Sequence, residues 1–87
     1  MARFIINSKT ISGRLHDEMV AMDLEKGRYF SLNPVATSIW EKLETGLTLE
    51  ELCSKLMEEY IVDLEQCYSE VREHLSEMMK LGLIIKK

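Results

Sequence analysis

The chain has 87 residues, 46% of them apolar, and a formal net charge of −4. That length fits one domain, residues 1–87, with a modest core and little left over for a deep enclosed active site; the spread of apolar residues along the whole chain excludes disorder. The acidic balance argues against nucleic acid as a partner, because neutralising phosphates takes clustered Lys and Arg.

No stretch approaches the roughly 20 apolar residues of a membrane span. The start, MARFIINSKT, has no long apolar run before a cleavage site, so no membrane association and a reducing cytoplasm are expected. Cys53 and Cys67 are then read as small buried apolar residues rather than as a disulfide.

Residues 3–7, RFIIN, suit a first strand. Residues 7–13 read as a polar turn region. In residues 15–24 the later part alternates, with Val20, Met22 and Leu24 on one face and Met19, Ala21 and Asp23 on the other, the mark of a half-buried strand. Glu25-Lys26-Gly27 reads as a hairpin loop, with Gly27 where a positive φ is needed. Residues 28–32 form the third strand, antiparallel to the second and at a sheet edge.

Asn33-Pro34 starts a helix: Asn caps free N–H groups, and Pro fits the first helical position. Val35, Ile39, Trp40 and Leu43 recur at helical spacing and Gly46 ends the run. Thr48 and Glu51 form a capping box before the apolar stripe Leu49, Leu52, Cys53, Leu56, Met57 and Tyr60. Asp63 and Gln66 repeat that logic for a last helix to about Leu81, closed by Gly82. Leu83, Ile84 and Ile85 form a final short strand or cover, with Lys86 and Lys87 solvated. The order predicts an α+β domain, winged-helix-like, with a three-stranded antiparallel sheet followed by three helices. Its expected core is Leu32, Ile39, Trp40, Leu43, Leu52, Leu56, Leu75 and Leu81.

The last helix carries two stripes. Leu64, Tyr68, Val71, Leu75 and Met79 form one; Cys67, Val71, His74 and Met78 form an adjoining one. Either both pack inward, or the second lines a groove beside the third strand. In the latter case an extended peptide can add to the strand edge, its backbone bonding to the outward N–H and C=O groups.

Catalytic chemistry finds little support. Neither His16 nor His74 has a Cys or His at ligand spacing, so no metal is expected, and no glycine-rich phosphate loop suggests a cofactor. Helices two and three resemble a helix-turn-helix. Between positions 63 and 80, however, Asp63, Glu65, Glu70, Glu73 and Glu77 face only Arg72 and Lys80, a balance that repels phosphate.

The run from residue 15 to 85 resembles the PqqD-like family. The resemblance rests on Met22-Asp23-Leu24, Gly27-Arg28-Tyr29-Phe30, Leu32-Asn33-Pro34, Ile39-Trp40, Thr48-Leu49-Glu50-Glu51 and Leu81-Gly82-Leu83, in that order and spacing. It implies a RiPP recognition element, a non-catalytic domain that binds the leader of a ribosomally made precursor peptide as an added strand. Such a domain delivers the peptide to a leader peptidase or other modifying enzyme. Carried over by position, the leader-binding residues are Arg28, Tyr29, Phe30 and Ser31 on the strand, with Cys67, Val71, His74 and Met78 on the helix. The Gly-Arg-Tyr-Phe and Ile-Trp pieces look more like the lasso-peptide type. The alternatives are a peptide chaperone for a radical SAM enzyme in pyrroloquinoline quinone synthesis and a winged-helix DNA-binding regulator. The open edge is compatible with a monomer or a weak dimer.

Overall fold

A computed structural model describes residues 2–87. Its strands are β1 (Phe4–Ile6), β2 (Thr10–Leu15), β3 (Glu18–Asp23), β4 (Arg28–Leu32) and β5 (Ile84–Lys86). Its α-helices are α1 (Pro34–Lys42), α2 (Leu49–Glu59) and α3 (Leu64–Lys80), with a short 3₁₀ turn, Leu43–Thr45, after α1. The α+β class and the three-stranded antiparallel sheet are as expected, but the sheet is built from different strands. Its order is β2-β3-β4, while β1 leaves it and pairs with β5 in a separate two-stranded sheet.

The polar turn region expected at 7–13 is therefore half wrong: a strand begins at Thr10. β2 and β3 meet through a two-residue turn in which His16 takes a φ of 59°, the geometry that suits a twisted hairpin. The next loop is one residue longer than expected, spanning 24–27. Buried Asp23 organises it: its carboxylate accepts from the Glu25 and Lys26 amides at 3.0 and 3.3 Å, and its carbonyl accepts from Gly27 N–H at 2.8 Å. Gly27 holds a φ of 68° at the point where the chain re-enters β4.

The helix starts follow local sequence. Asn33 accepts from Ala36 N–H at 2.8 Å, and Asp63 from Gln66 N–H at 2.7 Å. Thr48 and Glu51 close a reciprocal capping box. The Thr48 amide bonded to Glu51 is the main reason its carboxyl sits below the usual range, helped by Arg3 at 3.1 Å. At the end of α3, Gly82 N–H donates to Met79 O and Leu83 N–H to Met78 O, both at 3.0 Å. This is the paired-bond stop that reverses a helix through a left-handed glycine, and it aims residues 83–86 back at β1.

The core lies between the helices and the inner sheet face. Ile39, Trp40, Leu43, Leu52, Leu56 and Leu75 are buried as expected, whereas Leu32 and Leu81 are only partly so. Trp40 is 1% exposed, and its indole N–H donates to Ser12 Oγ at 2.9 Å, tying α1 to β2. On α3 the buried seam is Cys67, Val71, Leu75 and Met78, which mixes the two expected stripes. Leu64 and Met79 are exposed for different reasons: Met79 lies one residue's turn, ~100°, from Met78 and off that seam, whereas Leu64 is on the seam's side but is the first residue of α3.

Candidate functional site: the open edge of β4 beside α3

β4 bonds to β3 along one edge, with Met19 opposite Leu32 and Asp23 opposite Arg28. Among the described residues no strand pairs with its other edge. The terminal segments, which could have filled it, pair with each other instead. Alternation along β4 is clear: Phe30 and Leu32 are half-buried toward the helices, while Tyr29 and Ser31 are exposed. Arg28 shares the inner side, its guanidinium 5.7 Å from the centre of the Phe30 ring.

Between that edge and the C-terminal half of α3 lies a hollow of about 200 Å³. Phe30, Ser31 and Leu32 form one wall, and His74, Glu77, Met78 and Leu81 the other. Asn33 and Ala36 from the start of α1, together with Leu83, complete the lining. The start of α1 is fixed at this spot by Thr37, whose hydroxyl donates to Leu32 O at 3.1 Å. A second hollow of about 190 Å³ opens by the N-terminal half of α3, almost wholly apolar, lined by Val35, Leu56, Tyr60, Val62, Cys67, Glu70 and Val71.

The eight residues singled out from the sequence therefore separate into groups. Phe30, Ser31, His74 and Met78 meet at one cleft. Cys67 and Val71 line the second hollow, one to two turns away on the same helix. Arg28 stacks on Phe30, and Tyr29, 69% exposed, points to the opposite face of the sheet. Cys67, Val71 and Met78 are at most 4% exposed, so each is core first and presents only an edge to a cleft. Sequence reasoning missed Asn33, Ala36, Glu77 and Leu83, and placed Leu32 and Leu81 in the core rather than at the cleft. Glu77 carries a readable signal, lying one turn beyond His74 on the same side; Leu83 enters only through the helix stop.

Reactive chemistry is poorly provided for. Burial pushes the Cys53 thiol up to about 12, and its hydrogen bond with Cys67 adds to that, which keeps it an unreactive thiol at neutral pH. Among the described residues no group of His, Cys, Asp and Glu is placed to hold a metal ion. No helix is long and apolar enough to cross a membrane.

An α+β fold with one sheet edge left open beside a helix-walled cleft is one to which an extended chain can add, and the comparisons place the fold in a known family. The family described as "Coenzyme PQQ synthesis protein D (PqqD)" matches residues 18–84, and the chain belongs to that family. Among solved structures, "TbiB1 in Complex with the TbiA(beta) Leader Peptide" is 31% identical, with a TM-score of 0.85 over 92% of this chain and 93% of that one. "Lasso peptide synthetase B1 complexed with the leader peptide" shares the fold at 21% identity, with a TM-score of 0.83 over 94% and 96% of the two chains. No curated protein sequence matches the chain.

Proposed function

We infer that the chain is a RiPP recognition element: a non-catalytic, cytoplasmic domain that binds the leader of a precursor peptide and hands it to a leader peptidase in lasso-peptide synthesis. The observation that carries this reading is the free outer edge of β4 facing α3 across a cleft. The leader adds as a fourth strand along β4 and sends alternate side chains into the two hollows. Phe30, Ser31, His74 and Met78 contact it directly; Cys67 and Val71 floor the second hollow. Arg28 steadies Phe30 and offers its charge to an acidic leader residue. Tyr29 flanks the strand on the outer face.

The magnitudes suit such a ligand. A few backbone hydrogen bonds contribute about 1 kcal/mol each. Two buried apolar anchors add roughly 1.5–3 kcal/mol apiece. Together these give roughly 6–10 kcal/mol before ordering costs, against about 8 kcal/mol for micromolar affinity, so contacts along the rest of the leader must offset the cost of ordering it. The structural relative at 31% identity, a complex with a leader peptide, supports leader binding; the lasso setting rests on the Gly27-Arg28-Tyr29-Phe30 and Ile39-Trp40 pieces of the sequence. The family description supports a second reading, a chaperone for the radical SAM enzyme of pyrroloquinoline quinone synthesis.

The test is a fluorescence anisotropy titration of the domain with labelled leaders of the two settings. Saturable binding of the lasso-type leader at about 1–10 µM is expected. Substituting Ser31→Pro, which places a ring on the strand edge and removes a donor, should weaken it at least tenfold. Absence of saturation with either leader at tens of micromolar would defeat the proposal.

A further inference from the structure

Among the described residues nothing covers the sheet face turned away from the helices, and strand register fixes what it carries. Ile11, Met22 and Tyr29 lie side by side across β2, β3 and β4; Gly13, Val20 and Ser31 make the next row; Leu15 and Glu18 close the far end. The first row is a ridge of large side chains and the second a shelf of small ones. Ile11, Leu15 and Tyr29 are 54%, 64% and 69% exposed. Contiguous apolar faces of this kind commonly mark a contact surface.

The two ends of the face differ in charge. Beyond the ridge lie Lys9 and Lys26, with Glu25 beside Lys9 at 3.7 Å, while Arg28 and Asp23 turn to the inner side. Beyond the shelf lie Asp17 and Glu18, while Arg14 points to the other side and is paired with Glu41 at 3.5 Å.

We propose that this face docks against the same face of a second copy of the chain, about a two-fold axis. A two-fold contact requires a surface complementary to itself, and this one meets the requirement in shape and in charge. With the two sheets stacked antiparallel, the ridge of each copy lies on the shelf of the other. Lys9 and Lys26 of one copy then approach Asp17 and Glu18 of its mate. Facing sheets pack about 10 Å apart through interleaved side chains, which gives the ridge its place.

Size sets the strength. Three short strands spaced about 4.8 Å apart offer well under the ~800 Å² that each side of a stable complex contributes. The dimer is therefore weak, with a dissociation constant on the order of 100 µM. The outer edge of β4 stays accessible in it, so self-association and peptide binding are separate properties.

Sedimentation equilibrium from about 10 µM to about 1 mM tests this. The native chain should show a monomer–dimer equilibrium, and Leu15→Glu should weaken it at least tenfold with the circular dichroism unchanged. The double variants Lys9→Glu/Lys26→Glu and Asp17→Lys/Glu18→Lys should each fail to self-associate alone, and should recover association when mixed. A monomer at every concentration would overturn the proposal. So would a dimer that survives Leu15→Glu and both charge reversals, which would place the contact on an open strand edge.

Discussion

β1 is paired on both sides, whereas β4 is paired on one. β1 takes β5 along one edge and bridges Leu47 on the other, with reciprocal bonds of 2.8 and 3.2 Å between Phe4 and Leu47. Its partners are core: Leu83 is 0% and Ile84 2% exposed. β4 is longer, five residues against three, yet its outer backbone groups and about half its side chains face outward. The difference teaches that β1 and β5 act as a clasp, which leaves the outer edge of an internal strand free for the proposed leader. Stability and binding are thereby assigned to different strands, and substitutions should separate them.

The largest effect belongs to the clasp. Leu83→Ala should cost about 2–5 kcal/mol of unfolding free energy, the range for a fully buried leucine, read from urea denaturation. A loss under about 1 kcal/mol would mean the clasp is not structural. Next is Phe30→Ala on β4. It should weaken leader binding by roughly 1.5–3 kcal/mol in the anisotropy titration while lowering stability less than Leu83→Ala does. Equal losses in both measurements would erase the distinction between the strands.

Third is Thr48→Ala at the rim of the clasp, where the capping box anchors α2 next to Leu47. Loss of that cap should cost about 1 kcal/mol, with leader affinity unchanged. The smallest effect is on pH. Burial holds the folded Cys53 thiol at about 12, above its ordinary 9.0. Its contribution to stability is therefore complete below pH 9.0 and is lost as pH rises toward about 12. Urea midpoints should fall through that window, and Cys53→Ala should flatten the slope; an unaltered slope in the variant would assign the effect elsewhere.

Legibility in the sequence followed the range of the interactions. Asn33-Pro34, Thr48 with Glu51, and Asp63 were readable because a cap involves residues three apart. β4 was readable as an edge because its hairpin with β3 is equally local. β2 was not. Its apolar residues Ile11 and Leu15 lie on the exposed face, while Ser12 and Arg14 turn toward α1, so the rule that apolar alternation marks the buried side is inverted there. The partner of β1 was also hidden, since Phe4 and Lys86 are brought together only by the whole fold.

The proposed binding residues divide the same way. Phe30 and Ser31 follow from the strand. The helix wall slid by a turn, because 3.6-residue periodicity leaves open which side of a wide apolar stripe is core. Cys67 and Val71 line the second hollow instead, His74 and Met78 stay in the cleft, and Glu77 and Leu81 join them there.

The fold's last stitch also bears on how the protein is made. Phe4 waits for Lys86, and Asn7 for Leu83, whose carbonyl receives its amide at 3.0 Å. Contacts so distant in sequence form late. A nascent chain still holding residues 83–86 inside the ribosome has not finished the wall that Leu83 gives the cleft, so the cleft should be completed only once those residues have left the exit tunnel.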